Sequence, residues 1–83
     1  MPSGRIDRLL TRLENTSRNW SQSDLGTLLR ANGFESARKT HGINFVHRIY
    51  KDLHIIIANG NSLAPDYAQG VRKLLSKLKE REQ

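Results

Sequence analysis

At Asn32-Gly33 the apolar residues change from the spacing of a helix to that of a strand, and this break constrains the fold more than any other feature of the chain. Upstream of it, Ile6, Leu9, Leu10 and Leu13 recur at the intervals of one helix face, with Arg5, Arg8 and Arg12 on another. The pattern predicts an N-terminal helix over 5–16, short enough that it must dock on something to persist. Ser21 with Asp24 three residues on forms a capping-box-like pair, and Trp20 with Leu25 a hydrophobic staple. A second helix therefore starts at Ser21 and buries Leu25, Leu28 and Leu29. Gly33 stops it, because only glycine enters the left-handed conformation without strain.

Beyond the break the reading is of strands. Phe34–Lys39 is the first, and Thr40-His41-Gly42 a turn. Ile43–Tyr50 is the second, with Ile43, Phe45, His47 and Ile49 facing one way and Asn44, Val46, Arg48 and Tyr50 the other. Lys51-Asp52 is read as a tight connection to a third strand, Leu53–Ala58, whose β-branched run is expected to be the best buried. Asn59-Gly60-Asn61-Ser62 is a turn cluster. Pro65 then opens a helix, where its fixed φ and missing N–H carry no penalty, and Asp66 suits the positive end of the dipole. Tyr67, Val71, Leu74, Leu75 and Leu78 mark its buried face. The expected fold is α+β, in the order α-α-β-β-β-α, a three-stranded antiparallel sheet with helices on one face. Helix–three strands–helix is the arrangement of double-stranded-RNA-binding domains.

With 83 residues, 36% of them hydrophobic, the chain forms one domain around one thin core. It has no cysteine to add disulfides or thiolate ligands. No apolar run approaches the roughly 20 residues that span a bilayer. Met1-Pro2-Ser3-Gly4-Arg5 leads directly into a charged amphipathic pattern. No membrane partner and a cytoplasmic location are therefore expected. The net charge is +6, with a pI near 10.3, which is the electrostatic footprint of a nucleic-acid partner. From Arg38 onward nine Lys or Arg face four acids, against five and four before it.

Residues from about Trp20 to Leu78 resemble the HicA family of bacterial toxin–antitoxin systems. The similarity rests on Leu25-Gly26-Thr27-Leu28-Leu29-Arg30-Ala31-Asn32-Gly33-Phe34-Glu35, on Arg38-Lys39, on Gly42, on Phe45 followed by His47, and on Leu63-Ala64-Pro65 with Val71, Leu74 and Leu75. The resemblance implies a small RNA-binding protein on a double-stranded-RNA-binding-like scaffold, an mRNA-cleaving activity, and a cognate antitoxin partner. The core of that likeness is 20–79, with 5–16 an additional helix. The family's Gly-Ser-His motif is not intact: matched on Gly42, its histidine falls on Asn44; matched on Phe45, it falls on Gly42. A Pro-x-His after the third strand aligns with Ile57-Ala58-Asn59, again without histidine.

Cleavage of RNA without metal needs a group to take the 2′-hydroxyl proton, a role that suits imidazole because it titrates near neutrality. Of His41, His47 and His54, His41 has the best setting, in a glycine turn beside Arg38 and Lys39, and a shifted register lets it stand in for the missing base. His47 shares a face with Phe45 and reads as packed; His54 alternates away from Leu53 and Ile55. No metal-ligand spacing and no glycine-rich phosphate loop occurs, so no metal or cofactor is expected. Arg38, Lys39, Arg48, Lys51, Arg72, Lys73 and Lys77 are the candidate RNA-binding cations, since duplex RNA is read through phosphates and 2′-hydroxyls. Two alternatives stay open: a HicA-like ribonuclease using His41, and an inactive HicA-like module that binds RNA or protein. The N-terminal helix is a further candidate, for docking or self-association.

Overall fold

The computed structural model describes residues 4–83; Met1, Pro2 and Ser3, where the N-terminal reading began, lie outside the described residues. The elements are α1 (Gly4–Asn15), α2 (Gln22–Ala31), β1 (Phe34–Lys39), β2 (Gly42–His47), β3 (His54–Ala58) and α3 (Pro65–Arg81). The fold is thus α+β in the expected order, with an antiparallel sheet ordered β1-β2-β3.

Local chemistry explains where the helices begin and end. Ser21 caps α2, its hydroxyl accepting the Asp24 N–H at 3.0 Å, an interaction worth about 1 kcal/mol. Gly33 takes φ +91° directly after α2, and its carbonyl accepts the Arg48 N–H at 3.0 Å. That bond ties the end of α2 to the end of β2. Trp20 is fully buried between the first two helices, its indole N–H donating to the Thr16 carbonyl at 3.0 Å. The Arg12 guanidinium lies 4.3 Å from its ring centroid and also bonds Asp24 at 3.3 Å. α1 is so clamped to α2.

The sheet's inner face is covered by α2 and α3. Pairing sets Ser36, Phe45 and Ile55 in one row and Arg38, Ile43 and Ile57 in the next. Gly26 of α2 lies over Phe45, where a Cβ would stand 3.1 Å from the ring, and Gly70 of α3 lies over Ile55, also at 3.1 Å. α1 packs against α2 and α3 rather than the sheet. Its Leu9 and Leu13 join Leu28, Leu29, Phe45, Ile57, Val71 and Leu78 in a single core. The apolar stripe that the sequence left available for docking is therefore largely used within the fold. The outer face of the sheet, carrying Glu35, Ala37, Asn44, Val46, His54 and Ile56, is uncovered by any helix.

Three expectations are corrected. β2 ends at His47, not Tyr50, and the link to β3 is the longer segment 48–53. The cause is His47 itself: it is 3% exposed, and its Nδ1 accepts the N–H groups of both Ile49 and Tyr50 at 3.1 Å. The chain turns around the imidazole, and Ile49 is expelled from the inner face to 63% exposure. β3 is not the best-buried strand, because only Ile57 is fully enclosed and Ile56 is 56% exposed. As an edge strand with one open face, it presents alternate side chains to solvent. On α3, Ala68 takes a fully buried place while Tyr67 and Leu75 are half-buried.

Candidate nucleic-acid interface

Two connections meet at one end of the sheet: the β1–β2 turn with His41, and the segment after β3 with Asn59 and Gly60. His41 is exposed at the turn, and its carbonyl accepts the Asn59 N–H at 3.3 Å. The Asn59 side-chain oxygen accepts from Gln22 Nε2 at 2.9 Å, and that amide also donates to the Ile57 carbonyl at 3.2 Å. Gln22 N–H donates in turn to the Gly60 carbonyl at 3.0 Å. Gln22 opens α2, so the first turn of a helix pins both connections. The His41 backbone is held while its imidazole stays exposed, with the exposed Arg38 and Lys39 just before it.

Gly42 supplies the close approach that this arrangement requires. A Cβ there would fall 2.3 Å from the Ile57 carbonyl oxygen and 3.1 Å from Ala58 Cα, both backbone atoms. No side chain fits at this position. Gly42, one of the two positions that the family resemblance sets against its histidine, thus has no room for any side chain in this fold. Asn44, the other, lies mid-sheet on the outer face between Ala37 and Ile56, and its Oδ1 is buried without a hydrogen-bond partner. Asn59, at the third aligned position, belongs to the Gln22 tether.

The sequence-derived cations do not form one surface. Arg38 and Lys39 stand at the His41 end. Arg48 and Lys51 lie in the 48–53 segment at the opposite end, separated by the length of β2, roughly 17 Å at about 3.3 Å per residue. On α3, Arg72 borders the groove against α1 with Leu10 and Leu75, whereas Lys77 borders Leu53 and His54 near β3; Lys73 is exposed one turn before Lys77. His54 is exposed on the outer face opposite Val46, and His47 faces inward, so these two imidazoles are separated by the sheet. His47 is packed between Phe34, edge-on at 5.1 Å, and Tyr50 at 5.1 Å.

Two of the described acids, Asp24 and Asp52, engage cations elsewhere. Asp24 takes Arg12 and, at 3.9 Å, Arg5; Asp52 takes Arg81. The Arg81 hydrogen bond holds the Asp52 carboxyl below its ordinary range, opposed by slight desolvation. Among the described residues, Arg38 and Lys39 make no ion pair. Arg30 is the cation that sequence reading passed over. Its guanidinium sits 5.4 Å from the Phe45 centroid and 3.5 Å from Ser36 Oγ, midway along the inner side of β1, and borders a groove that Arg48 also lines. Its place late in a helix gave no sign of that contact.

Among the described residues no group of three His, Asp or Glu side chains is arranged to hold a metal ion, and no helix is long and apolar enough to cross a membrane. No family model, curated protein or solved structure matches this chain.

Proposed function

We propose that this chain is a HicA-like toxin component that binds RNA, contacting the phosphate backbone through Arg38, Lys39 and the His41 turn. The observation that carries the reading is the pair Arg38–Lys39: two cations without ion-pair partners among the described residues, flanking an imidazole on a turn pinned by Asn59 and Gln22. A rigid cationic edge suits backbone recognition, in which phosphates and 2′-hydroxyls are read by position. The rings available for stacking are few, since Trp20, Phe34 and Phe45 are buried. Sequence reading of unstacked bases is correspondingly disfavoured. A cognate antitoxin belongs to the same reading.

A second reading, metal-independent cleavage, is favoured by one observation, the exposed His41 imidazole between these cations and the tether. It is tested by incubating end-labelled RNA with the protein in chelator, with His41→Ala in parallel. Products that vanish in the variant establish His41 as the base. Intact RNA with salt-sensitive binding supports a module that binds without cutting. Intact RNA with no binding refutes the proposal.

A further inference from the structure

β3 is an edge strand whose backbone phase is fixed by its neighbours. His47 N–H donates to the Leu53 carbonyl at 3.0 Å, and Asn59 N–H to the His41 carbonyl at 3.3 Å. Hydrogen-bonded pairs recur at every second residue of an antiparallel ladder. Leu53, Ile55 and Ile57 therefore bond β2, while His54, Ile56 and Ala58 turn their N–H and C=O groups outward. None of these groups finds a backbone partner among the described residues.

The two edges of the sheet differ in how they are protected. β1 carries Glu35, Arg38 and Lys39, and charged side chains are a usual means of discouraging edge pairing. β3, His-Ile-Ile-Ile-Ala, has no Lys, Arg, Asp or Glu and shows Ile56 56% exposed. We propose that β3 pairs with β3 of a second copy of this chain, antiparallel and centred on Ile56, making one continuous sheet from two. In that register Ile56 stands opposite Ile56 and His54 opposite Ala58, so every outward backbone group of the strand is bonded. Centring on Ile55 or Ile57 instead would leave Ala58 or His54 without a strand partner.

α3 supplies charge complementarity along the same edge. Gly70, against Ile55, and Lys77, beside Leu53 and His54, mark the flank of α3 that lies toward β3. Asp66 and Lys73, nearly two turns apart, share that flank at 3.6 residues per turn. The two-fold turns Asp66 of each copy toward Lys73 of the other. Pairing is antiparallel and isologous, as a closed dimer requires. A five-residue strand gives an interface below the roughly 800 Å² per partner of standard complexes, so the dimer is weak and concentration-dependent.

The test is sedimentation equilibrium from micromolar to millimolar protein, with amide hydrogen exchange measured at both extremes. The expected result is a monomer–dimer equilibrium in which high concentration protects the His54, Ile56 and Ala58 amides. Ile56→Lys, placing like charges opposite one another, weakens dimerisation by at least about tenfold. Ile49→Lys, at the other exposed apolar side chain, leaves it unchanged. A monomer at every concentration overturns the proposal, as does a dimer that Ile49→Lys weakens equally and whose β3 amides exchange freely.

Discussion

Replacing Gly42 with alanine isolates the close approach on which the His41 end depends. The added methyl would stand 2.3 Å from the Ile57 carbonyl oxygen and 3.0 Å from its carbon, about 1 Å inside ordinary contact. Backbone cannot swing aside as a side chain can, so β3 must part from β2 at this end. Overpacking of this kind costs about 1–3 kcal/mol. Separation also strains the bond from Gln22 to the Ile57 carbonyl and that from Asn59 to His41, at about 1 kcal/mol each. A total loss of about 3–5 kcal/mol is expected, a large part of the roughly 4–12 kcal/mol available to a domain of this length. Urea unfolding followed by the single, fully buried Trp20 measures it; at about 1 kcal/mol per molar, the midpoint falls by about 3–5 M. Gly4→Ala is the control, because its Cβ meets nothing within 4 Å. A Gly42→Ala loss under about 1 kcal/mol would refute the steric reasoning and reopen this position to a side chain.

Other expectations follow from the same geometry. His47→Phe keeps a ring between Phe34 and Tyr50 but leaves the Ile49 and Tyr50 N–H groups without their acceptor; a loss of about 2 kcal/mol is expected, together with faster amide exchange at both residues. Asp52 has a folded-state pKa depressed by Arg81, so its contribution to stability is present above the ordinary carboxyl range and disappears as pH falls through the folded value. Thermal melting below about pH 4 should therefore show a small decline that Asp52→Asn lacks, and added salt should shrink it, since both partners face solvent. Ser21→Ala removes the α2 cap and should lower stability by about 1 kcal/mol in the same urea assay.

What the sequence disclosed and what it hid divide along the range of the interactions. Ser21, Trp20 and Gly33 act on their immediate neighbours, so the start and stop of α2 and the change to strands were legible. The turn after His47 was not, because it depends on an imidazole accepting from the backbone ahead of it, whereas alternation alone carried β2 on to Tyr50. β3 read as buried because its residues are apolar; its edge position and open outer face, properties of the assembled sheet, decided otherwise. The candidate site shows the same division. Arg38, Lys39 and His41 are neighbours in sequence and share one end of the sheet, with strand alternation sending Arg38 and Lys39 to opposite faces. Gln22 and Asn59, 37 residues apart, tether the turn through a contact that no local pattern announces. Arg48, Lys51 and the α3 cations were grouped by charge alone, and the fold distributes them to other surfaces.

The most direct test of the RNA-binding proposal is the salt dependence of RNA affinity for the wild type and two double variants, Arg38→Gln with Lys39→Gln and Arg48→Gln with Lys51→Gln. Each lost phosphate contact reduces the slope of log affinity against log salt by about 0.7–0.9. A weaker, flatter dependence is expected for the first pair and a near wild-type line for the second. Unchanged binding in the first pair, or an equal loss in both, would contradict the proposal.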